Sequence, residues 1–281
     1  MTLPPFHIHA DTLLVALGLE GAYLWAVARS GPRHVAPGER PASRWQVASF
    51  TSAVAALLVA TSWPVHDLAE RYLFSIHMVQ HTIISLVVPP LLLLGMPAWL
   101  LRVVLRSPAL AWAVRRLARP FVALVLFNLV IVVTHWPLVV DLTLRHHLAH
   151  LAAHVILFGS ATLMWWPAIS PLPEMPGLSY PGRMLYLFLQ SVVPTVPASF
   201  LTFGSAPFYP FYVAAPRIWG ISALTDQLVA GLIMKLAGGF ILWTGIAVIF
   251  FKWFTVEQTE GWDELAVGKV DREIRAELTK R

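Results

Sequence analysis

The stretch SIHMVQH, Ser75 to His81, sets two histidines four residues apart with Met78 between them, inside an apolar run that continues to Gly95. A second set follows at His146, His147, His150 and His154. On a helix, His77 and His81 point within about 40° of each other. His147, His150 and His154 share a stripe about 60° wide, and His146 faces elsewhere. Neutral imidazole is the commonest side-chain metal ligand and suits copper, zinc and iron. The Met78 thioether would favour Cu(I), although it stands about 100° from His77 around the helix. The chain has no cysteine, which removes thiolate metal sites, disulfides and CxxC redox motifs together. The chemistry in view is imidazole ligation, either copper handling or a bis-histidine haem site, and imidazole spacing alone does not separate them.

Other chemistries lack their residues. No HExxH occurs, nor G-x-S-x-G, nor a Gly-rich phosphate cradle. Lys235, in the last apolar stretch, raises a retinal Schiff base. One turn before it stands Gly231 and not an acid, and the third stretch carries no carboxylate. Lys235 is expected to face the bundle interior and pair with backbone carbonyls, or to snorkel. A cation transporter predicts acids deep in several helices. Apart from Asp11, Asp226 and Glu20 these are scarce, and Glu20 has no evident partner.

The elements that must carry these groups follow from composition. Of 281 residues, 57 % are hydrophobic and only 12 % charged, and the mean hydropathy is +0.68. Soluble domains carry about 25 % charged residues, so the chain reads as a membrane protein. A helix needs roughly 20 apolar residues to cross the bilayer core. Seven stretches qualify: Ala10–Ala28, Trp45–Trp63, Leu73–Leu94, Phe121–Val139, Leu148–Trp166, Met184–Leu201 and Ile221–Phe251. Alternating barrel strands are absent, and open strands cannot hide their backbone in lipid. The predicted fold is an all-α membrane protein, a bundle of about seven transmembrane helices. Residues 1–255 form one domain and 256–281 a charged cytoplasmic tail that reads as a short exposed helix. The start, MTLPPFHIHAD, has no basic region and is not expected to be a cleaved signal peptide.

The pI is near 9.8, yet the basic residues form no nucleic-acid patch. They fall in alternate loops: Arg29, Arg33, Arg40 and Arg44; then Arg102, Arg106, Arg115, Arg116 and Arg119; then the tail. Cytoplasmic loops are enriched in Lys and Arg, so the N-terminus is expected outside and the C-terminus in the cytoplasm. Of eleven histidines, only His34 lies among these arginines, and the other ten fall in the outer half.

At a rise of about 1.5 Å per residue, His77 and His150 lie about one turn below their helix starts, and His81 and His154 about one turn deeper. The pairs match in depth if the two helices are neighbours. Asp226 and Gln227 enter at similar depth on the seventh stretch, and His135, in THWP, closes the fourth. Ionisable groups inside membranes usually mark a site or pathway. His77, His81, His150 and His154 are the expected metal ligands, with Met78 and His147 as further candidates. Asp226, Gln227 and His135 are placed behind them, Asp226 orienting an imidazole. His7, His9 and His66 are expected to be solvated. Pro89, Pro194 and Pro197 predict kinks. The loop FGSAPFYPFYVAAPRIWG, rich in Pro and aromatics, is expected to lie flat over the outer mouth.

The segment WPVHDLAERYLFSIHMVQHTIISLVVPPLLLLGMPAW, Trp63 to Trp99, resembles the signature region of the CtaG family. These are polytopic cytochrome c oxidase assembly proteins, distinct from the single-span copper carrier of the same name. THWP at Thr134–Pro137, WWP at Trp165–Pro167 and LTDQLVAGLIMK at Leu224–Lys235 add to the resemblance, which covers nearly the whole chain. It implies a non-enzymatic assembly factor of the cell inner membrane, acting in copper-centre formation of haem–copper oxidase. Oxidase subunits or copper chaperones would be its partners. His77, Met78 and His81 belong to the family motif, and His150 and His154 to its second histidine region.

Overall fold

The computed structural model describes residues 3–175 and 177–278, with side chains through residue 258. Every regular element among them is helical. Five helices are long and apolar enough to cross a membrane, or up to seven if each of two bent pairs counts as one span. The chain is a multi-pass membrane protein.

The first span is α1 (Ala10–Trp25), extended by a π-turn over Ala26–Ser30. Helix α2 (Arg44–Ala60) opens with a capping box, Ser43 Oγ accepting from Gln46 N while Gln46 Oε1 accepts from Ser43 N. Short α3 (Val65–Arg71) follows at a 43° bend. The third span joins α4 (Phe74–Thr82), a π-turn over Ile83–Val87, and α5 (Val88–Gly95). The Pro89 kink is relieved by that π-turn. Proline cannot donate to the carbonyl four residues back, and the freed Ser85 oxygen accepts from the Trp165 indole at 3.3 Å.

On the arginine-rich side, α6 (Ala98–Val104) and α7 (Pro108–Leu117) precede α8 (Pro120–Thr134), with 84° between α7 and α8. The fourth span stops at Thr134, short of the expected Val139. Pro137 has no N–H and starts a separate α9 (Pro137–Arg145). Helix α10 (His147–Ile169) is the fifth span. The sixth breaks at Pro194 into α11 (Tyr180–Val192) and α12 (Thr195–Phe203); Pro197 falls in the first turn of α12, where its missing donor costs little. After short α13 (Pro210–Ala214), the last span joins α14 (Ala223–Leu232), a π-turn over Ile233–Ala237, and α15 (Gly238–Leu278). The expected tail is thus a continuation of α15, and its side chains from residue 259 lie outside the described residues.

Close backbone approach holds the bundle. A Cβ on Gly95 would lie 2.6 Å from Phe50 N, so α5 presses directly on α2. A Cβ on Gly231 would lie 2.6 Å from Thr202 Oγ1, which seats α14 on α12. The main core gathers Phe127, Leu157, Met164, Trp165 and Leu187. Glu20 finds its partner across helices, where Thr51 Oγ1 donates to it at 2.6 Å. Lys235 lies in the last π-turn over the Phe203 ring, 5.6 Å from its centroid, a cation–π contact in place of the expected carbonyls.

Candidate metal centre

Helix α4 begins with a hydrophobic N-cap, Leu73, whose side chain cannot accept the orphan amides of the first turn. A carboxylate from another span does so. Asp226 Oδ2 accepts from Phe74 N at 2.7 Å and Oδ1 from Ser75 N at 3.0 Å. Asp226 sits in the first turn of α14, whose own cap is Ser222. It is buried, and its charge faces the positive end of α4. The sequence suggested that Asp226 orients an imidazole. Its two oxygens instead fix the start of the helix that carries His77 and His81. Gln227 is also structural: its Oε1 accepts from Phe208 N at 2.6 Å and its Nε2 donates to Ala206 O at 3.3 Å, holding the outer loop.

Set from that fixed start, the rings of α4 meet those of α10. His77 and His81 are 4.1 Å apart by centroid, and His150 and His154 4.2 Å. Across the helices His77 lies 5.8 Å from His150, and His81 5.1 Å from His154. His77, His81 and His150 are buried, and His154 is partly exposed. The Nε2 atoms of His81 and His154 face each other at 3.2 Å. Two imidazoles on a tetrahedral ion with bonds of about 2.0–2.1 Å would hold their nitrogens about 3.3 Å apart. The ring Nδ1 atoms of His77 and His81 are buried without a partner. Unpaired buried polar atoms are costly, and a bound cation would satisfy such lone pairs. Among the described residues no three His, Asp or Glu side chains converge closely enough, as they lie, to enclose one ion.

His135 closes the cluster from α8, 5.5 Å from His81 by centroid. Its Nδ1 lies 2.7 Å from Ile131 O, so this nitrogen carries the proton and Nε2 keeps its lone pair. Met78 is buried with Phe74, Val140, Tyr209 and Tyr212. It also lines a cavity of about 50 Å³ beneath the histidines, shared with His81, Ser85, His135, Gln190 and Met234. His147 is not brought in: it is the first residue of α10, exposed at the rim.

Glu70 is the group that sequence reasoning missed. Its Oε1 lies 3.0 Å from His150 Nε2 and 3.3 Å from His66 Nε2. The His150 nitrogen is at ion-pair distance but off the line of a hydrogen bond, so it too lacks an aligned partner. The signal was the i, i+4 spacing of His66 and Glu70, hidden in a helix only seven residues long. His66 and His9 are engaged and not merely solvated. Gln80 Nε2 lies 3.1 Å from His66 Nδ1, and His9 Nε2 lies 2.8 Å from Asp67 Oδ2. His7 is exposed. The outer loop also does more than lie flat. Tyr209 and Tyr212 are buried against Phe74, and their hydroxyls donate to His135 O and Ala69 O at 3.0 and 2.7 Å.

A family model described as cytochrome c oxidase caa3 assembly factor, Caa3_CtaG, matches residues 21–255. The chain belongs to this family. The match spans every histidine of the buried cluster, with Glu70 and Asp226. Two further relatives are uncharacterised proteins of Mycobacterium bovis and Mycobacterium tuberculosis. Each is 30 % identical over 179 residues, 57 % of this chain and 26 % of the relative. The chain thus spans about a quarter of the length of the curated relatives it matches. No solved structure matches it. Membership in Caa3_CtaG makes this a membrane protein of a cytochrome c oxidase assembly family.

Proposed function

We propose that the chain supports copper-centre formation in a haem–copper oxidase by holding copper, as cargo, on His77, His81, His150 and His154. The carrying observation is that these histidines, from two helices at matched depth, pack ring against ring, with His81 Nε2 meeting His154 Nε2 at 3.2 Å and a buried ring nitrogen left without a hydrogen-bond partner on each of His77, His81 and His150. His135 stands within reach as a further imidazole, and Met78 and Met234 offer thioethers at the cavity beneath. The deep end of this set is neutral, so a singly charged, soft ion costs less to bury there than a divalent one. Glu70 adds its carboxylate only at the outer edge. The positive-inside bias puts the histidines on the outer face of the inner (plasma) membrane and the tail of residues 256–281 in the cytoplasm. There the chain would meet oxidase subunits or a copper chaperone, and no catalytic step is assigned to it. A haem-binding or electron-transfer protein is the second reading. Rings packed 4.1–5.8 Å apart leave no slot for a macrocycle, which favours copper.

Elemental analysis and a visible spectrum of the purified protein, beside the His77/His81/His150/His154 quadruple alanine variant, test this. Near-stoichiometric copper without a Soret band, lost in the variant, is expected. A Soret band lost in the variant would replace copper with haem. If the protein, reconstituted with Cu(I), retains no more than the variant does, the proposal fails.

A further inference from the structure

The arginine-rich face holds a second polar pocket, at the opposite ends of the helices from the histidines. It lies at the elbow where α7 meets α8, against the last turn of α10. Its volume is about 440 Å³, and Arg115, Arg119, Pro120, Trp166 and Glu174 are among its lining residues. Arg115 and Arg119 are exposed, and neither guanidinium lies within ion-pair or hydrogen-bond distance of a partner among the described residues, while Glu174 acts on Arg115 at longer range. Glu174 is the one acid in the lining. Its two oxygens are taken up by the Arg102 fork at 2.7 and 3.1 Å, so its charge is already neutralised.

Two further features select for an anion. Helix α8 runs for 15 residues, and its N-cap, Arg119, makes no side-chain cap hydrogen bond. Its first residue, Pro120, has no N–H, so what this end of α8 brings to the pocket is the positive end of the helix dipole. Independently, Trp166 lines the pocket while only 6 % exposed. Its indole N–H has no acceptor in the protein. A buried indole usually finds one, and indole N–H can only donate.

Helix α7 sets the depth. It lies 84° from α8 and carries Trp112, Leu110 and Leu117 exposed beside Arg115 and Arg116. A short helix of apolar and basic residues across the end of a span rests in the membrane interface. Phosphodiester groups of lipids lie at that level, and basic pockets between spans take them up.

We propose that this pocket binds the phosphate of an anionic phospholipid. Arg115 and Arg119 supply the charge and, with Trp166 Nε1–H, the hydrogen bonds, at the positive end of the α8 dipole. The site is separate from the histidine cluster and does not depend on the copper reading.

The test is titration of the delipidated full-length protein, in neutral detergent, with phosphatidylglycerol or phosphatidylcholine, followed by native mass spectrometry. Phosphatidylglycerol should bind in preference. Two arginines near the surface are worth roughly a thirtyfold affinity difference, so Arg115→Gln with Arg119→Gln should lose about that factor. Trp166→Phe, which removes only the N–H donor, should lose several-fold while the thermal unfolding profile stays that of a folded protein. Arg106→Gln with Arg116→Gln removes equal charge from the same face outside the pocket and should change binding little. Equal loss in this control pair would mean a diffuse surface potential and overturn the site. So would undiminished binding in both pocket variants. Displacement of the lipid by millimolar inorganic phosphate would assign the pocket to a soluble phosphate and overturn the lipid assignment.

Discussion

Asp226 shows how a single side chain can act through backbone it never neighbours in sequence. Asp226→Ala leaves two buried amides at the start of α4 without acceptors. An orphaned buried donor costs about 1–3 kcal/mol, so a loss of roughly 2–4 kcal/mol is expected in thermal unfolding in detergent. Asp226→Asn keeps one acceptor oxygen and should fall between wild type and alanine; equal stability of all three would remove the capping role. The histidines themselves were legible, because a buried polar stripe at helical spacing stands out against apolar sequence. The role of Asp226 was not, since its partners are amides and carry no side-chain signature. Glu70 escaped because it meets His150 through a fold-back of α3. His147 is the first residue of α10, a turn before His150, and is exposed there, so it does not join the others.

Elements show the limits of reading spans from hydropathy. The seven apolar stretches correspond to the helices, but their interruptions depend on which carbonyls find new donors. Pro89 is tolerated because Trp165 answers Ser85 O, a contact between residues 80 positions apart. The basic third loop concealed α6 and α7, which are too short for span-length hydropathy to reveal. Glycine at position 95 marks a seam where two helices meet backbone to backbone. A side chain there meets the backbone of Phe50, which cannot swing aside. Gly95→Ala should therefore destabilise the protein by about 1–3 kcal/mol, as overpacking does. Gly21→Ala, with nothing within 4 Å of the added carbon, is the matched control and should be neutral or slightly stabilising. Thermal unfolding of the two variants side by side decides it, and a neutral Gly95→Ala would mean that the seam can open.

Across the whole molecule, all the histidines but His34 lie toward one end of the helices and most of the arginines toward the other, and that division was plain in the sequence. The Arg102–Glu174 pair was not, because it joins α6 to a loop 72 residues on. The Arg102 fork, with a backbone hydrogen bond, holds the Glu174 carboxyl down to about 2, from an ordinary 4.5. A lowered carboxylate contributes stability fully above its unfolded value and loses it as pH falls toward the folded one. The unfolding-temperature gap between wild type and Glu174→Gln should thus be constant above about pH 5 and close between about pH 4.5 and 2. A gap unchanged at pH 2 would mean that the ion pair is not its origin. The cross-helix bonds of the histidine region have one more consequence. Asp226 bolts α4 to α14, so His77 and His81 travel with the last span. His150 and His154 ride on α10, which is pinned to the third span at Ser85, on the far side of His81 from the mouth. The two pairs of histidines thus hang from separate anchorages, His77 and His81 from the Asp226 cap and His150 and His154 from a helix tied at Trp165, so a change at either anchorage would move one pair relative to the other.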